Sequence, residues 1–473
     1  MNGSGNRDAS GTGTLDVGEF LGRLPFGRFH ALLVVLCCLV TFLDGVDLGI
    51  IAYAAPYIRD DLHLSGQQLG LVFSSATVGQ VVGALVCSYA ADRIGRRPVI
   101  LVCAVLAGLF TLAMGFAGSF GQLLAIRFLG GLAIGGLLPV AWALNIEAMP
   151  GARRATVVSV IMFGFTLGGT VAAPLTNLVA PAWGWQWIYL IAGTATLAVS
   201  LVLIGLLPES ARFLASRGAR PERIEALLLR ADPQFDPAAW QAYRLGDEPP
   251  PTGGFTPADL FRGRLKLITP MIWAAYFFSS IAAFLGALWG PILFEELGLT
   301  RAGAALLGSL AGLAGAIVSM VLMRFTEALG PRWVALFPLL AAPTFLLVGI
   351  GAPGPALLVP AIFTGLVLKY GGHQSVISII GTFYPSSIRA NAGGWASAIA
   401  KIGGVIGPVL GAFFVANAGG ALSAFLLLGA CTLLVGLCTL GLASLAGRSP
   451  EPGGPSVTAP RPNKTAPGQG EVL

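Results

Sequence analysis

The feature that most constrains this chain is a repeat. Two sets of six apolar segments, each long enough to cross a bilayer, are related by a shift of 235 residues. Pro56-Tyr-Ile-Arg-Asp60-Asp61-Leu62 falls on Pro291-Ile-Leu-Phe-Glu295-Glu296-Leu297, and Asp92-x-x-Gly95-x-Arg97 on Glu327-x-x-Gly330-x-Arg332. Pro150 and Arg154 fall on Pro385 and Arg389, and Gly168-Gly169 on Gly403-Gly404. The register holds without a gap. It predicts an all-α polytopic membrane protein with twelve transmembrane helices in two six-helix pseudo-repeats, and a site between the halves.

The expected segments are 29–55, 68–91, 98–118, 121–147, 155–180 and 186–207, then 267–293, 302–325, 333–351, 355–381, 391–416 and 420–446. Five units follow: a cytoplasmic tail (1–28), a first half (29–207), a cytoplasmic linker (208–266) with a short helix near Pro221–Arg230, a second half (267–446) and a disordered cytoplasmic tail (447–473). Only 11% of residues are charged and 55% are hydrophobic, far from the roughly 25% charged of soluble proteins. Of 28 Lys and Arg, 23 fall on the side of the termini, 2 (Arg59, Arg301) in the opposite loops and 3 within segments. That asymmetry predicts cytoplasmic termini. The six cysteines all lie in apolar runs, with neither disulfide nor metal spacing. The first 22 residues have no apolar core and are not a signal peptide.

Charges inside the segments narrow the function. Asp44 and Asp47, three apart in the first segment, share a helix face. Two buried carboxylates side by side repel, so the pair is expected to carry a proton; a structural pair around a kink at Gly45 is the alternative. Arg127 should lie at the depth of Asp47, with Lys369 and Lys401 near the centres of their segments and His373 one turn from Lys369. Three cations against two acids predict an anionic ligand, and a carboxylate suits them. Each has a structural alternative: Arg127 as a partner for Asp47 alone, Lys401 snorkelling, Lys369 lining a vestibule, His373 and the neighbouring Gln374 as packing residues. Tyr276, Phe284, Trp289 and Phe42 could stack on an aromatic substrate. No nucleophile–base constellation, phosphate loop or metal spacing appears, so neither an enzyme nor a cofactor is expected, and no nucleic-acid partner.

Three stretches are more specific. Gly83-Ala-Leu-Val-Cys-Ser-Tyr-Ala-Ala-Asp92-Arg-Ile-Gly-Arg-Arg97-Pro resembles the loop between helices two and three of the major facilitator superfamily, Arg127-Phe-Leu-Gly-Gly-Leu-Ala-Ile-Gly-Gly136 its fourth-helix motif, and Pro208-Glu-Ser-Ala-Arg-Phe213 the segment after helix six. Asp44-Gly-Val-Asp47, Gly371-Gly-His-Gln374 and the run from Tyr384 to Pro408 resemble the aromatic acid:proton symporter branch. Lys401 stands where that branch usually has arginine, and the sugar-porter sequence after helix twelve is absent.

The resemblance implies a bacterial inner-membrane symporter, monomeric by default, that imports a small organic anion, an aromatic carboxylate, by rocker-switch alternating access with protons as coupling ion. A sugar-porter-like proton symporter and a proton-antiport exporter are the alternatives. It further implies that Asp92, Arg93, Arg97, Glu147, Arg154, Glu209 and Arg212, with Glu327, Arg332 and Arg389 of the second half, form a cytoplasmic ion-pair gate.

Overall fold

The computed structural model describes residues 13–246, 256–329, 332–378, 383–384, 386–417 and 420–446. A short strand β1 (Thr14–Asp16) and helix α1 (Val17–Arg23) precede six long helices: α2 (Arg28–Asp61), α3 (Gly66–Ile94), α4 (Arg96–Met114), α5 (Phe120–Ala148), α6 (Arg154–Trp183) and α7 (Trp185–Leu206). The linker holds α8 (Ala211–Ser216), α9 (Pro221–Ala231) and strand β2 (Ala242–Arg244). The second six are α10 (Leu265–Glu296), α11 (Arg301–Leu329), α12 (Arg332–Gly349), α13 (Pro355–Ser378), α14 (Ser386–Asn417) and α15 (Gly420–Ala446). In hydrocarbon every backbone N–H and C=O must be bonded within the chain, which makes these segments helices. Eleven are long and apolar enough to cross a membrane, and the apolar stretch Trp333–Gly349 of α12 is a shorter twelfth.

The two halves pack alike. In the first, α2 lies on α6, α3 on α5 and α4 on α7; in the second, α10 lies on α14, α11 on α13 and α12 on α15. Across the interface α3 meets α14 and α6 meets α11, with α2 against α10 between them. These crossings are equivalent under the 235-residue shift, so the sequence repeat is also a spatial one. Small residues allow the closest approaches. A Cβ on Gly45 would collide with the Phe165 carbonyl oxygen of α6, and one on Gly168 with that of Phe42.

The polar contacts that join the halves cluster toward the face opposite the linker, here called the far face. Arg301 Nη2 reaches Asp60 Oδ2 at 2.8 Å. Asn177 Nδ2 donates to the Ala302 carbonyl at 3.1 Å, Ser309 Oγ to that of Thr170 at 2.8 Å and Ser74 Oγ to that of Val405 at 3.0 Å. Trp289 packs edge-to-face on Phe73, its ring centroid 5.5 Å away.

The N-terminal segment is more than a polar tail. β1 pairs in parallel with β2 of the linker, and Leu15, Val17, Leu21, Ile224, Leu228 and Phe235 form a small core. Asp16 Oδ1 caps α1 through Gly18 N at 2.8 Å, while Oδ2 accepts from Gly246 N at 2.7 Å. Residues 14–24 and 208–246 are thus one subdomain on the linker face, which corrects the reading of a separate tail. Its core comes from isolated i, i+4 pairs such as Val17/Leu21 and Ile224/Leu228, too short to register as an apolar run. Residues 447–473 lie outside the described residues.

Candidate functional site

A cavity of about 340 Å³ lies between the halves, walled by α2, α6, α10, α11 and α13. Phe165, Phe284 and Phe294 give it aromatic surface, and Tyr53, Thr166, Thr170, Ser309, Tyr370 and His373 bring polar groups to its wall. This is the usual make-up of a small-molecule site: an apolar body with a few oriented polar groups. A second cavity of about 140 Å³ shares His373 and adds Tyr276, Ser279, Ser280 and Ser397. The His373 ring is fixed by a 2.7 Å hydrogen bond between Nδ1 and Ser279 Oγ.

Lys369 sits just behind the wall and is 5% exposed. Its ammonium lies 3.9 Å from the Tyr370 ring centroid and donates to the Ala282 carbonyl at 3.4 Å. It has no carboxylate partner among the described residues. A cation–π contact and one long hydrogen bond compensate a buried ammonium poorly. The geometry leaves it able to take an anion from the cavity.

Not every candidate for substrate contact faces this space. Arg127, 6% exposed, is turned into the first half, where Nη1 stands 3.0 Å from Asp47 Oδ2. Trp289 is 1% exposed and donates from Nε1 to the Pro408 carbonyl at 3.0 Å; its ring seals α10 against α3 and α14. Arg127 thus takes its structural alternative as the partner of Asp47, while Trp289, expected to stack on substrate, is turned away by the packing of α10, which is a correction to the sequence reading. Lys401 is half-buried on α14 and is absent from the described lining of either cavity. The side chain of Gln374 falls outside the described ones.

Helix α2 is a wall shared by two environments. Gly45, Leu48, Gly49, Ala52 and Tyr53 face the central cavity. Asp44 and Asp47 face the other way, onto a pocket of about 20 Å³ within the first half, beside Thr111, Thr196 and Ser200. That is room for about one water molecule. Asp47 is held twice, by Arg127 and by Thr111 Oγ1, which donates to Oδ1 at 2.9 Å. Among the described residues Asp44 has no ion-pair partner, and its buried Oδ2 has no hydrogen-bond partner. The arrangement can hold one fixed charge pair beside one carboxyl group free to exchange a proton.

On the linker face the charged residues meet around Arg96, which sequence reasoning passed over. Its Nη2 stands 2.8 Å from Glu147 Oε1 and 3.1 Å from Asp92 Oδ1. Glu209 caps α4: its Oε1 accepts from the backbone N–H of Arg96 at 2.9 Å and Arg97 at 3.2 Å, a favourable place for a carboxylate. Ser210 Oγ donates to Glu147 Oε2.

Arg97 instead donates to the Ile204 carbonyl at 2.8 Å, and Arg93 lies over the Tyr89 ring at 4.3 Å. Arg154 donates to the Met149 carbonyl at 3.3 Å. Arg212 lies over the start of α1, beside Gly18. The expected gate thus becomes, among the described side chains, a network internal to the first half; those of Glu327, Arg332 and Arg389 lie outside the description. The Asp92–Arg96 spacing of i, i+4 was the available signal.

Comparison with known proteins places these features. The family described as Major Facilitator Superfamily matches residues 37–261 and 272–471. The chain is 30% identical over 407 residues to the 4-hydroxybenzoate transporter PcaK of Acinetobacter baylyi, covering 85% of this chain and 89% of that one. It is 29% identical over 448 residues to the gallate transporter of Pseudomonas putida, covering 94% and 98%. Among solved structures it resembles a bacterial homolog of the human lysosomal transporter Spinster (TM-score 0.67, 17% identity, 90% and 98% covered). The xylose transporter XylE from E. coli aligns with a TM-score of 0.67 at 16% identity, covering 87% and 98%. At those identities the structures speak for the fold alone.

Proposed function

The chain belongs to the Major Facilitator Superfamily, and on that premise we propose that it imports a small aromatic carboxylate together with protons. It is a membrane transporter rather than an enzyme, like the relatives it matches. The reading includes a bacterial inner-membrane location with the linker face cytoplasmic, which accords with the Lys and Arg asymmetry. The observation that carries it is the central cavity, aromatic in its body, with His373 in its wall and, behind it, the ammonium of Lys369, which has no carboxylate partner among the described residues. The names of the relatives, transporters of 4-hydroxybenzoate and gallate, point to the same chemistry.

In this reading the substrate ring lies against Phe165 and Phe284, and its carboxylate meets Lys369, with His373 as hydrogen-bonding neighbour. Asp44 takes the proton. Asp47 stays paired with Arg127 and keeps a fixed charge balance around it. Substrate and proton sites lie on opposite faces of α2, so each biases the packing of the same helix. A loaded transporter carries no uncompensated buried charge and can pass through an occluded state; a half-loaded one strands a charge and is held back. The halves then rock about the α2–α10 contact.

The test is proton movement in proteoliposomes with an external pH dye and a panel of aromatic carboxylates, aliphatic carboxylates and hexoses. External alkalinisation on adding an aromatic carboxylate, lost in Asp44→Asn, is expected. A response to hexoses alone, or none to any acid, overturns the assignment.

A further inference from the structure

Where α9 lies against the bundle, a cavity of about 320 Å³ opens at the linker-face ends of α2 and α7. Its floor is apolar, built by Phe29, Leu32 and Leu33 of α2 and by Leu206 of α7. Leu32 is 43% and Leu206 47% exposed, so the floor continues onto the lipid-facing flank of the bundle. Two guanidinium groups line the same cavity: Arg28 at the start of α2 and Arg230 in the last turn of α9. No carboxylate is among its described lining residues. Neither arginine makes an ion pair or hydrogen bond to a described residue, whereas Arg96, Arg97 and Arg217 nearby are all engaged. Two free guanidiniums above an apolar groove, where a membrane helix meets water, match one chemistry: a phosphate group attached to an acyl chain.

We propose that this cleft binds an anionic phospholipid of the leaflet on the linker face. The phosphate bridges Arg28 and Arg230, and one acyl chain runs along Leu32 and Leu206. Arg28 belongs to the bundle and Arg230 to the linker subdomain, so the lipid ties the two together. A free phosphate would use the arginines but leave the apolar floor wet, which favours the lipid. The proposal does not depend on what the central cavity carries.

The experiment is native mass spectrometry of the full-length protein in mild detergent, titrated separately with phosphatidylglycerol, phosphatidylcholine and glycerol 3-phosphate. Retention of phosphatidylglycerol over phosphatidylcholine is expected. The double variant Arg28→Gln/Arg230→Gln should weaken it by roughly thirtyfold, at about 1 kcal/mol per basic residue. Arg220→Gln/Arg223→Gln, which removes two exposed arginines outside the cleft, should leave it unchanged. All four side chains are exposed, so folding is not at risk, and a melting curve of each variant verifies that. Equal retention of both lipids, unaltered binding by the first double variant, or full displacement by glycerol 3-phosphate each overturns the proposal, the last in favour of a soluble phosphate.

Discussion

Gly286 leaves the cavity wall open in front of Lys369: a Cβ at position 286 would stand 2.5 Å from the ammonium nitrogen. Gly286 itself lines the cavity. The missing side chain is what lets a residue behind the wall reach the space in front of it. Gly286→Ala is therefore expected to displace the ammonium and raise KM for whichever aromatic carboxylate elicits proton movement on the order of tenfold, the worth of one charge-assisted hydrogen bond. Uptake kinetics in proteoliposomes check this; an unchanged KM would remove Lys369 from the substrate site.

Asp44 and Asp47 are expected to respond differently to neutralisation. Asp44 has no ion-pair partner among the described residues, so Asp44→Asn strands no charge. The variant should insert and melt like the parent and still exchange substrate across the membrane, yet fail to accumulate it against a gradient. Counterflow and uphill uptake, measured on one preparation, separate the two activities.

Asp47→Asn instead leaves Arg127 buried without its counter-charge, and breaking such a pair costs about 3–5 kcal/mol. Loss of most folded protein in detergent is expected. In Asp47→Asn/Arg127→Gln, which leaves neither charge, much of that stability should return. If the double variant melts no higher than the single one, the pair is not what holds α2 to α5.

Gly95 has φ +108°, and a Cβ there would collide with Glu209 Oε2. Gly95→Ala is expected to cost about 1–3 kcal/mol of backbone strain and to dislodge the carboxylate that caps α4. Arg96→Gln should slow transport while leaving KM nearly unchanged, since Arg96 touches the network and not the cavity. A raised KM with normal turnover would contradict that.

Arg301 and Asp60 join the halves at the far face but are 32% and 50% exposed, and such pairs are worth about 0–1 kcal/mol. Asp60→Asn is accordingly expected to open the far face modestly, by no more than about fivefold in population. The rate at which a membrane-impermeant thiol reagent labels a cysteine placed at Gly308, which lines the cavity, reports it. A much larger change would mean the pair is an essential latch.

The helices were legible because lipid allows few alternatives and the repeat fixes their order. The depth of Asp44, Asp47 and Lys369 could be counted along each segment. Which way a helix turns could not: Arg127 and Trp289 face away from the cavity because close packing at Gly131 and Gly135 against α3, and at Gly411 against Trp289, sets how their helices are rotated. Arg96 was obscured by its neighbour Arg97, which the repeat picks out. The subdomain was hidden because its two pieces lie about 200 residues apart, and neither is apolar enough to stand out alone.

Asp16 and Gly246 are 230 positions apart in the chain, yet hydrogen-bonded in the fold. The ribosome makes β1 first and β2 only after six membrane segments have been synthesised. Until α8 and α9 follow, Val17 and Leu21 have no linker to cover them. A chain halted before Ala211 would carry a sticky amino-terminal helix, and a chain that reaches Gly246 can close its first half before the second has begun. The subdomain is thus a record of completed synthesis: it exists only once every helix between its two strands has been made.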